Sequence, residues 1–345
     1  MTTAALTIVR KVRGVDRVVL VIAGLLLALA VTMPGQAVAS IEFMVRALIY
    51  ISPFILLSIV AAGAAKATGL DQQIGRVVSG RAVMAIIAAA LFGAMSPFCS
   101  CGVIPVVAAL LVAGVPLAPV MAFWISSPLM SPEKYILASA VFDPGFATVY
   151  LLTAIALGLF AGFAIHALVG RGLLRNVLRD GVVGGGCSAG AAKAEHGDAP
   201  VVWKFWRDTE RRAAFSETAT ASGLFLLKWL SLAFLIESLM VAYLPPDTVG
   251  QVLGGDAWWT VPASTAVGIP AYLNGFAAIP MIARLVELGA APGAALAFLT
   301  AGAVTSIPAA MGVFALVRRP VFALYLAIGI AGSMVAGLGY QAFLA

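Results

Sequence analysis

Apolar residues run in long blocks, at 18–33, 41–65, 82–97, 102–114, 117–142, 144–169, 218–243, 257–272, 277–289, 292–317 and 320–343. A helix needs about 20 residues to cross the hydrocarbon of a bilayer, so several blocks cross alone and the shorter ones are short or broken helices. The pattern predicts an all-α, polytopic membrane protein with about 8–11 transmembrane helices. One long polar stretch, 171–215, mixes Gly184, Gly185 and Gly186 with cations and acids and reads as a loop. The N-terminal segment up to Ser40 also resembles a secretory signal, with Ala37-Val38-Ala39 before that serine. The apolar run from Val18 is kept here as the first transmembrane helix.

Laying the chain on itself without a gap, so that Gly75 meets Gly250, exposes an internal repeat. Between Gln72 and Phe123 the 52 aligned pairs include 13 identities, among them Gly75/Gly250, Gly80/Gly255, Gly93/Gly268, Pro105/Pro280 and Gly114/Gly289. Glycines and a proline carry the match, which matters because apolar identities arise easily in membrane segments. The same register carries block 41–65 onto 216–240 and block 144–169 onto 319–344. The expected organisation is therefore an N-terminal transmembrane helix in 1–40, repeat one in 41–170, a cytoplasmic polar loop in 171–215 and repeat two in 216–345.

Composition supports the same class. The chain has 345 residues, 62% hydrophobic and 10% charged, with a mean hydropathy of +1.05, whereas soluble domains carry about 25% charged residues. A formal charge of +6 would suit nucleic acid only if it formed a basic face, but the cations sit between apolar blocks. Of the 21 Lys and Arg, 17 fall in four segments: Arg10 to Arg17, Lys66 to Arg81, Arg171 to Arg212, and Arg318 with Arg319. The positive-inside rule makes these cytoplasmic, with the N-terminus inside and the C-terminus outside. Repeat one then starts outside and repeat two inside, so the repeats are inverted. Inverted repeats with broken helices are a secondary-transporter architecture.

The strongest local signal is Ser96-Pro97-Phe98-Cys99-Ser100-Cys101-Gly102-Val103-Ile104-Pro105. Its prolines and glycine interrupt a helix, and irregular backbone persists in a membrane only where protein or a water-filled cavity surrounds it. The counterpart in repeat two is Ala271 to Phe276, between Pro270 and Pro280, and the repeat register sets Asn274 opposite Cys99. Cys99 and Cys101 offer two soft sulfur ligands for a thiophilic species such as trivalent arsenic, Cu(I) or Hg(II). The alternatives to this ligand reading are that both are small packing residues, or a redox pair. Cys187 lies in the polar loop. A second pair of breaks falls at Ser126-Ser127-Pro128 and at Thr300 with Thr305-Ser306-Ile307-Pro308. Hydroxyls there either contact substrate or bond their own backbone.

Ionisable residues within apolar blocks are functional candidates because burying them is costly. Glu237 is the candidate for coupling, as a proton carrier. Lys228 has an interfacial reading, and Arg284 with Glu287 reads as a local ion pair. No G-x-x-x-x-G-K-[ST] sequence is present, which argues against ATP hydrolysis, and two His cannot build a zinc site alone. No cofactor is expected.

The element Pro97-Phe98-Cys99-Ser100-Cys101-Gly102-Val103-Ile104-Pro105, followed by Gly114-Val115-Pro116 and Ser126-Ser127-Pro128, resembles the predicted permease family that includes the organoarsenical efflux permease ArsP. The resemblance covers most of the chain outside the central loop. It implies a bacterial inner-membrane permease, and characterised relatives export trivalent organoarsenicals such as methylarsenite. Gly102 stands where other members can carry serine, which bears on substrate identity. Three functions follow as expectations. The first is an exporter with Cys99, Ser100 and Cys101 at the soft-ligand site. The second is a permease for another small solute, using Ser126, Ser127, Asn274 and Thr305. The third is a membrane thiol oxidoreductase. The expected partners are a small-molecule substrate and the lipid bilayer, not nucleic acid; oligomeric state is not readable from the pattern.

Overall fold

The computed structural model describes residues 16–70, 73, 81–96, 100, 102–172, 174, 177–178, 202–243, 259–271 and 275–344. Cys99, Cys101, Asn274 and Cys187 lie outside the described residues, as does most of the polar stretch between 171 and 201.

Capping residues and prolines set the helix starts. Helix α1 (Arg17–Thr32) begins after Asp16, whose carboxylate accepts a hydrogen bond from the Val18 N–H at 3.2 Å. Helix α2 (Pro34–Thr68) has Pro34 in its first turn and stops at Gly69, φ 76°, a left-handed conformation that glycine adopts without a Cβ clash. Then follow α3 (Ala82–Met95), α4 (Val103–Val112), α5 (Leu117–Ser126), α6 (Pro132–Val141) and α7 (Pro144–Gly170). Pro132 and Pro144 open their helices behind Ser131 and Asp143, whose side chains accept from Lys134 N and Phe146 N. A 3-10 turn at Phe205–Arg207 leads into α8 (Thr209–Tyr243), and α9 (Thr260–Ala271), α10 (Gly275–Glu287), α11 (Pro292–Thr305), α12 (Ile307–Leu316) and α13 (Arg319–Leu344) follow among the described residues.

Five spans among the described residues are long and apolar enough to cross a membrane: Pro34–Thr68, Pro144–Gly170, Thr209–Met240, Pro292–Leu316 and Arg319–Leu344. The shorter apolar helices α1, α3, α4 and α5 pack with them. The protein is an all-α polytopic membrane protein, and its helices break where the sequence predicts, between α3 and α4, α5 and α6, α9 and α10, and α11 and α12.

Helix boundaries recur along the chain. The register that sets Gly75 on Gly250 carries α2, α6 and α7 onto 209–243, 307–316 and 319–345, against Thr209–Tyr243, Ile307–Leu316 and Arg319–Leu344. Packing recurs as well: α5 is held between α3 and α7, and α11 between α9 and α13. A Cβ on Gly162 would lie 2.5 Å from Ile86 Cγ2 and 3.0 Å from Ala122 Cβ, facing Ala118 O. A Cβ on Gly337 would lie 2.8 Å from Val261 Cγ1 and 2.7 Å from Ala297 Cβ, facing Gly293 O. Every partner in the second set is the repeat counterpart of one in the first. Small residues at these crossings let the helices approach backbone to backbone, which matters in lipid, where association depends on contact and not on exclusion of water.

Helices at corresponding positions run antiparallel. Gly63, late in α2, meets Phe215, early in α8. Arg211 donates to Ala67 O at 2.8 Å, joining the same two helix ends. At the other pair, Phe146 near the start of α7 stacks edge-on with Tyr340 near the end of α13, ring centroids 5.9 Å apart, while Leu157 and Gly332 meet near the two midpoints. The core is contributed chiefly by α5 and α11: every residue of α5 is buried, and so is every residue of α11 after Pro292. Lys228 lies close to the middle of α8 and pairs with Asp16 at the start of α1, a tertiary partner that the sequence pattern did not indicate.

Candidate functional site

The first break joins α3 to α4. Helix α3 stops at Ser96, whose backbone N–H and hydroxyl both donate to Gly93 O, at 3.0 and 2.8 Å. Ser100 lies in the turn and is partly buried. The Gly102 carbonyl, at the entry to α4, accepts from the buried hydroxyl of Ser58 on α2. Helix α4 in turn packs on α2, α5 and α12. The described flanks of this break, Ser96 and Gly102, are thus buried and held by hydrogen bonds within the protein.

The second break joins α5 to α6, and Ser126, Ser127 and Ser131 within it are buried. The Ser126 hydroxyl donates back to Ala122 O at 2.9 Å. Ser127 differs, because its hydroxyl oxygen is buried and has no hydrogen-bond partner among the described residues. The Lys134 side chain, 9% exposed, bends back to donate to Pro128 O at 2.6 Å. A cation therefore lies inside the break, holding a carbonyl that α5 cannot reach. Lys134→Met removes that donor and leaves a buried acceptor unpaired, a loss of about 1–3 kcal/mol. It is expected to lower the melting temperature of the purified protein, and an unchanged melting curve would show that the bond does not matter.

At the corresponding break between α11 and α12, Thr300 donates to Leu296 O and Thr305 to Ala301 O, each at 2.6 Å. Ser126 and Thr305 therefore both bond their own helices, the local alternative to substrate contact. The two breaks are linked through buried aromatic side chains. Trp124, two positions before Ser126, lies 5.7 Å from the ring of Tyr325, and the Tyr325 hydroxyl donates to Val304 O, next to Thr305, at 2.5 Å. Tyr150, the repeat counterpart of Tyr325, makes the reciprocal reach, donating to Leu299 O at 3.4 Å.

Glu237 stands apart on α8, 3% exposed. Its Oε2 has no hydrogen-bond partner among the described residues. Helix α8 packs against α2 and α12. Arg284 and Glu287 form an exposed ion pair at 2.6 Å, as their spacing suggested.

Sequence reasoning overlooked Ser58, Lys134, Tyr150 and Tyr325. Lys134 carried a usable signal, being one of four cations outside the basic segments. Tyr150 and Tyr325 occupy matching positions of the repeat, so extending its register beyond Phe123 finds them. Ser58 reaches a carbonyl 44 residues away and had no local signal.

Comparison with known proteins places this geometry. A stretch of 80 residues, 23% of the chain, is 34% identical to UPF0718 protein YcgR of Bacillus subtilis (strain 168). The match spans 27% of that relative's length, about a quarter of it. No solved structure matches. A family model described as predicted permease, ArsP_1, matches residues 37–342, which takes in every helix from α3 to α12 and nearly all of α2 and α13. The chain belongs to the ArsP_1 predicted permease family.

Proposed function

We propose that this membrane permease is a secondary exporter of trivalent organoarsenicals such as methylarsenite, or of a similar thiophilic species, with Cys99 and Cys101 as soft ligands. The observation that carries the reading is the position of the Cys99-Ser100-Cys101 run. It falls within a helix break whose flanks are held inside protein, with Ser58 capping Gly102 on one side and Ser96 closing α3 on the other. Soft thiolates select soft metalloids, and a broken helix supplies the free backbone groups of a transporter site. The proposed setting is a bacterial inner membrane with the N-terminus in the cytoplasm and no ATP hydrolysis in this chain.

The recurrence of helix boundaries and crossings in one register, and the antiparallel packing of α2 with α8 and of α7 with α13, support an inverted duplication, with repeats 41–170 and 216–345 flanking the polar loop 171–215. Exchange of conformation between two such halves would turn an inward-facing site outward. Expression in a bacterial host made sensitive to arsenic tests the function. Growth at methylarsenite concentrations that stop the host supports it, and no protection from well-expressed protein counts against it.

Coupling is assigned to Glu237, because a buried carboxyl with an unpartnered oxygen on a spanning helix is the group best suited to carry a proton across. Glu237→Gln keeps shape and removes the titrating group. Export driven by a pH gradient is expected to fall at least tenfold in this variant, and equal rates in parent and variant would remove Glu237 from coupling.

One observation favours a second reading, a permease for another small solute with structural cysteines. The buried Ser127 hydroxyl lacks a partner among the described residues, and a polar solute would complete its hydrogen bonding, alongside Ser126, Asn274 and Thr305. Transport that is indifferent to competing arsenite-type compounds would favour it.

A further inference from the structure

The segment 203–212, which leads into α8, combines two exposed tryptophans with a cluster of cations. Trp203 is 69% exposed and Trp206 58%. Lys204, Arg207 and Arg212 are exposed, and their side chains make no hydrogen bond or ion pair among the described residues. Such a segment would ordinarily be mobile, yet here it is tied down. Val202 N–H donates to Thr68 O at 3.2 Å and Arg211 donates to Ala67 O at 2.8 Å, satisfying carbonyls that the end of α2 leaves open. Phe205 stacks on Phe215 of α8 with ring centroids 5.5 Å apart and meets Trp206 edge-on at 5.6 Å. The inward contacts are made by Phe205 and Arg211, both partly buried, and the tryptophans are held outward.

Helix length sets the depth of this hook. Helices α2 and α8 have 35 residues each, about 52 Å at the rise of an α-helix, against about 30 Å of hydrocarbon and about 40–45 Å with headgroups. Contacts at Gly63 with Phe215 and at Ile59 with Gly223 hold the two helices side by side over these turns. The apolar block of α8 begins at 218, so Phe215 stands about 4.5 Å beyond it at that rise, within the depth that headgroups add to the hydrocarbon. Phe205, stacked on Phe215, therefore lies at headgroup level, with Trp203 and Trp206 beside it.

We propose that Trp203 to Arg212 is an anchor for anionic phospholipid, with Trp203 and Trp206 seated in the interface and Lys204, Arg207 and Arg212 binding headgroup phosphates. Tryptophan concentrates at membrane–water interfaces because its ring is apolar and its N–H is not. Clustered cations beside a spanning helix draw negatively charged lipid, and the excess of cations over Asp208 and Glu210 gives the hook the matching sign. Because the hook bonds α2 and begins α8, the anchor fixes the end of the antiparallel helix pair relative to the leaflet. This inference does not depend on the transported species.

The test uses the full-length protein in nanodiscs of phosphatidylcholine with a minor fraction of phosphatidylglycerol, the bromine quencher carried on the chains of one lipid or the other. Tryptophan fluorescence should be quenched, per mole of brominated lipid, about twofold more by phosphatidylglycerol. The preference should disappear in Lys204→Gln/Arg207→Gln/Arg212→Gln, and also in Trp203→Phe/Trp206→Phe, which leaves the other tryptophans as background. Equal quenching by the two lipids in the parent overturns the proposal. So does a preference that survives either set of substitutions.

Discussion

Gly337→Leu should leave almost no folded protein in the membrane, and Gly162→Leu should come close to it. A Cβ at 337 would stand 2.6 Å from Gly293 O, 2.7 Å from Ala297 Cβ and 2.8 Å from Val261 Cγ1. One of these atoms is backbone, so no rotamer change makes room, and α13 would have to withdraw from α9 and α11 together. Overpacking of a core typically costs about 1–3 kcal/mol and occasionally more. Here a four-carbon side chain meets a contact already below van der Waals distance at its first carbon. In lipid no hydrophobic drive outside the contact compensates for the lost approach. Fluorescence-detected size exclusion reads the outcome as loss of the monodisperse peak. Gly24→Leu is the control, since nothing lies within 4 Å of a Cβ there. A normal peak for Gly337→Leu would mean that the α9, α11 and α13 crossing is not as described.

Cys99→Ser and Cys101→Ser should each abolish methylarsenite resistance in cells while expression stays at the parent level. Serine is close to cysteine in size and puts a hydroxyl in place of the thiol, so a packing role would survive the exchange. A hard oxygen in place of sulfur loses the soft-ligand affinity on which binding of trivalent arsenic depends. With two thiolates cooperating on one metalloid, removal of either should be nearly as damaging as removal of both. Cys187→Ser, in the polar stretch between the two halves, should leave resistance unchanged. Full resistance in both single variants would remove the thiol mechanism and return the site to the polar groups at the second break.

Much of the fold was legible because lipid exposes its requirements in composition. Blocks of apolar residues marked nearly every helix, and prolines marked the breaks, since Pro132, Pro144, Pro292 and Pro308 each sit in the first turn of a helix. The full reach of α2 and α8 was not legible. The apolar blocks began at 41 and 218, whereas the helices begin at Pro34 and Thr209. The start of α8 is polar, with Glu210, Arg211, Arg212 and Glu217, and hydropathy follows lipid contact rather than helical backbone. Partners distant in sequence were equally hidden: Lys228 finds Asp16, 212 residues away, so its position near mid-helix had no local sign. At the site, spacing showed where the backbone breaks but not what each hydroxyl does. Ser126 and Thr305 turn back onto their own helices, while Ser127 beside them does not. That difference depends on rotamer and neighbours, which one residue type in a row of serines does not reveal.

The central claim, export through a thiol site, is tested most directly by methylarsenite accumulation in everted membrane vesicles that contain the protein or its Cys99→Ser/Cys101→Ser variant. Uptake is predicted in vesicles with the parent protein and none above background with the variant. Uptake at the same rate in both would contradict a thiol-dependent site, and background uptake by a folded parent protein would contradict organoarsenical export.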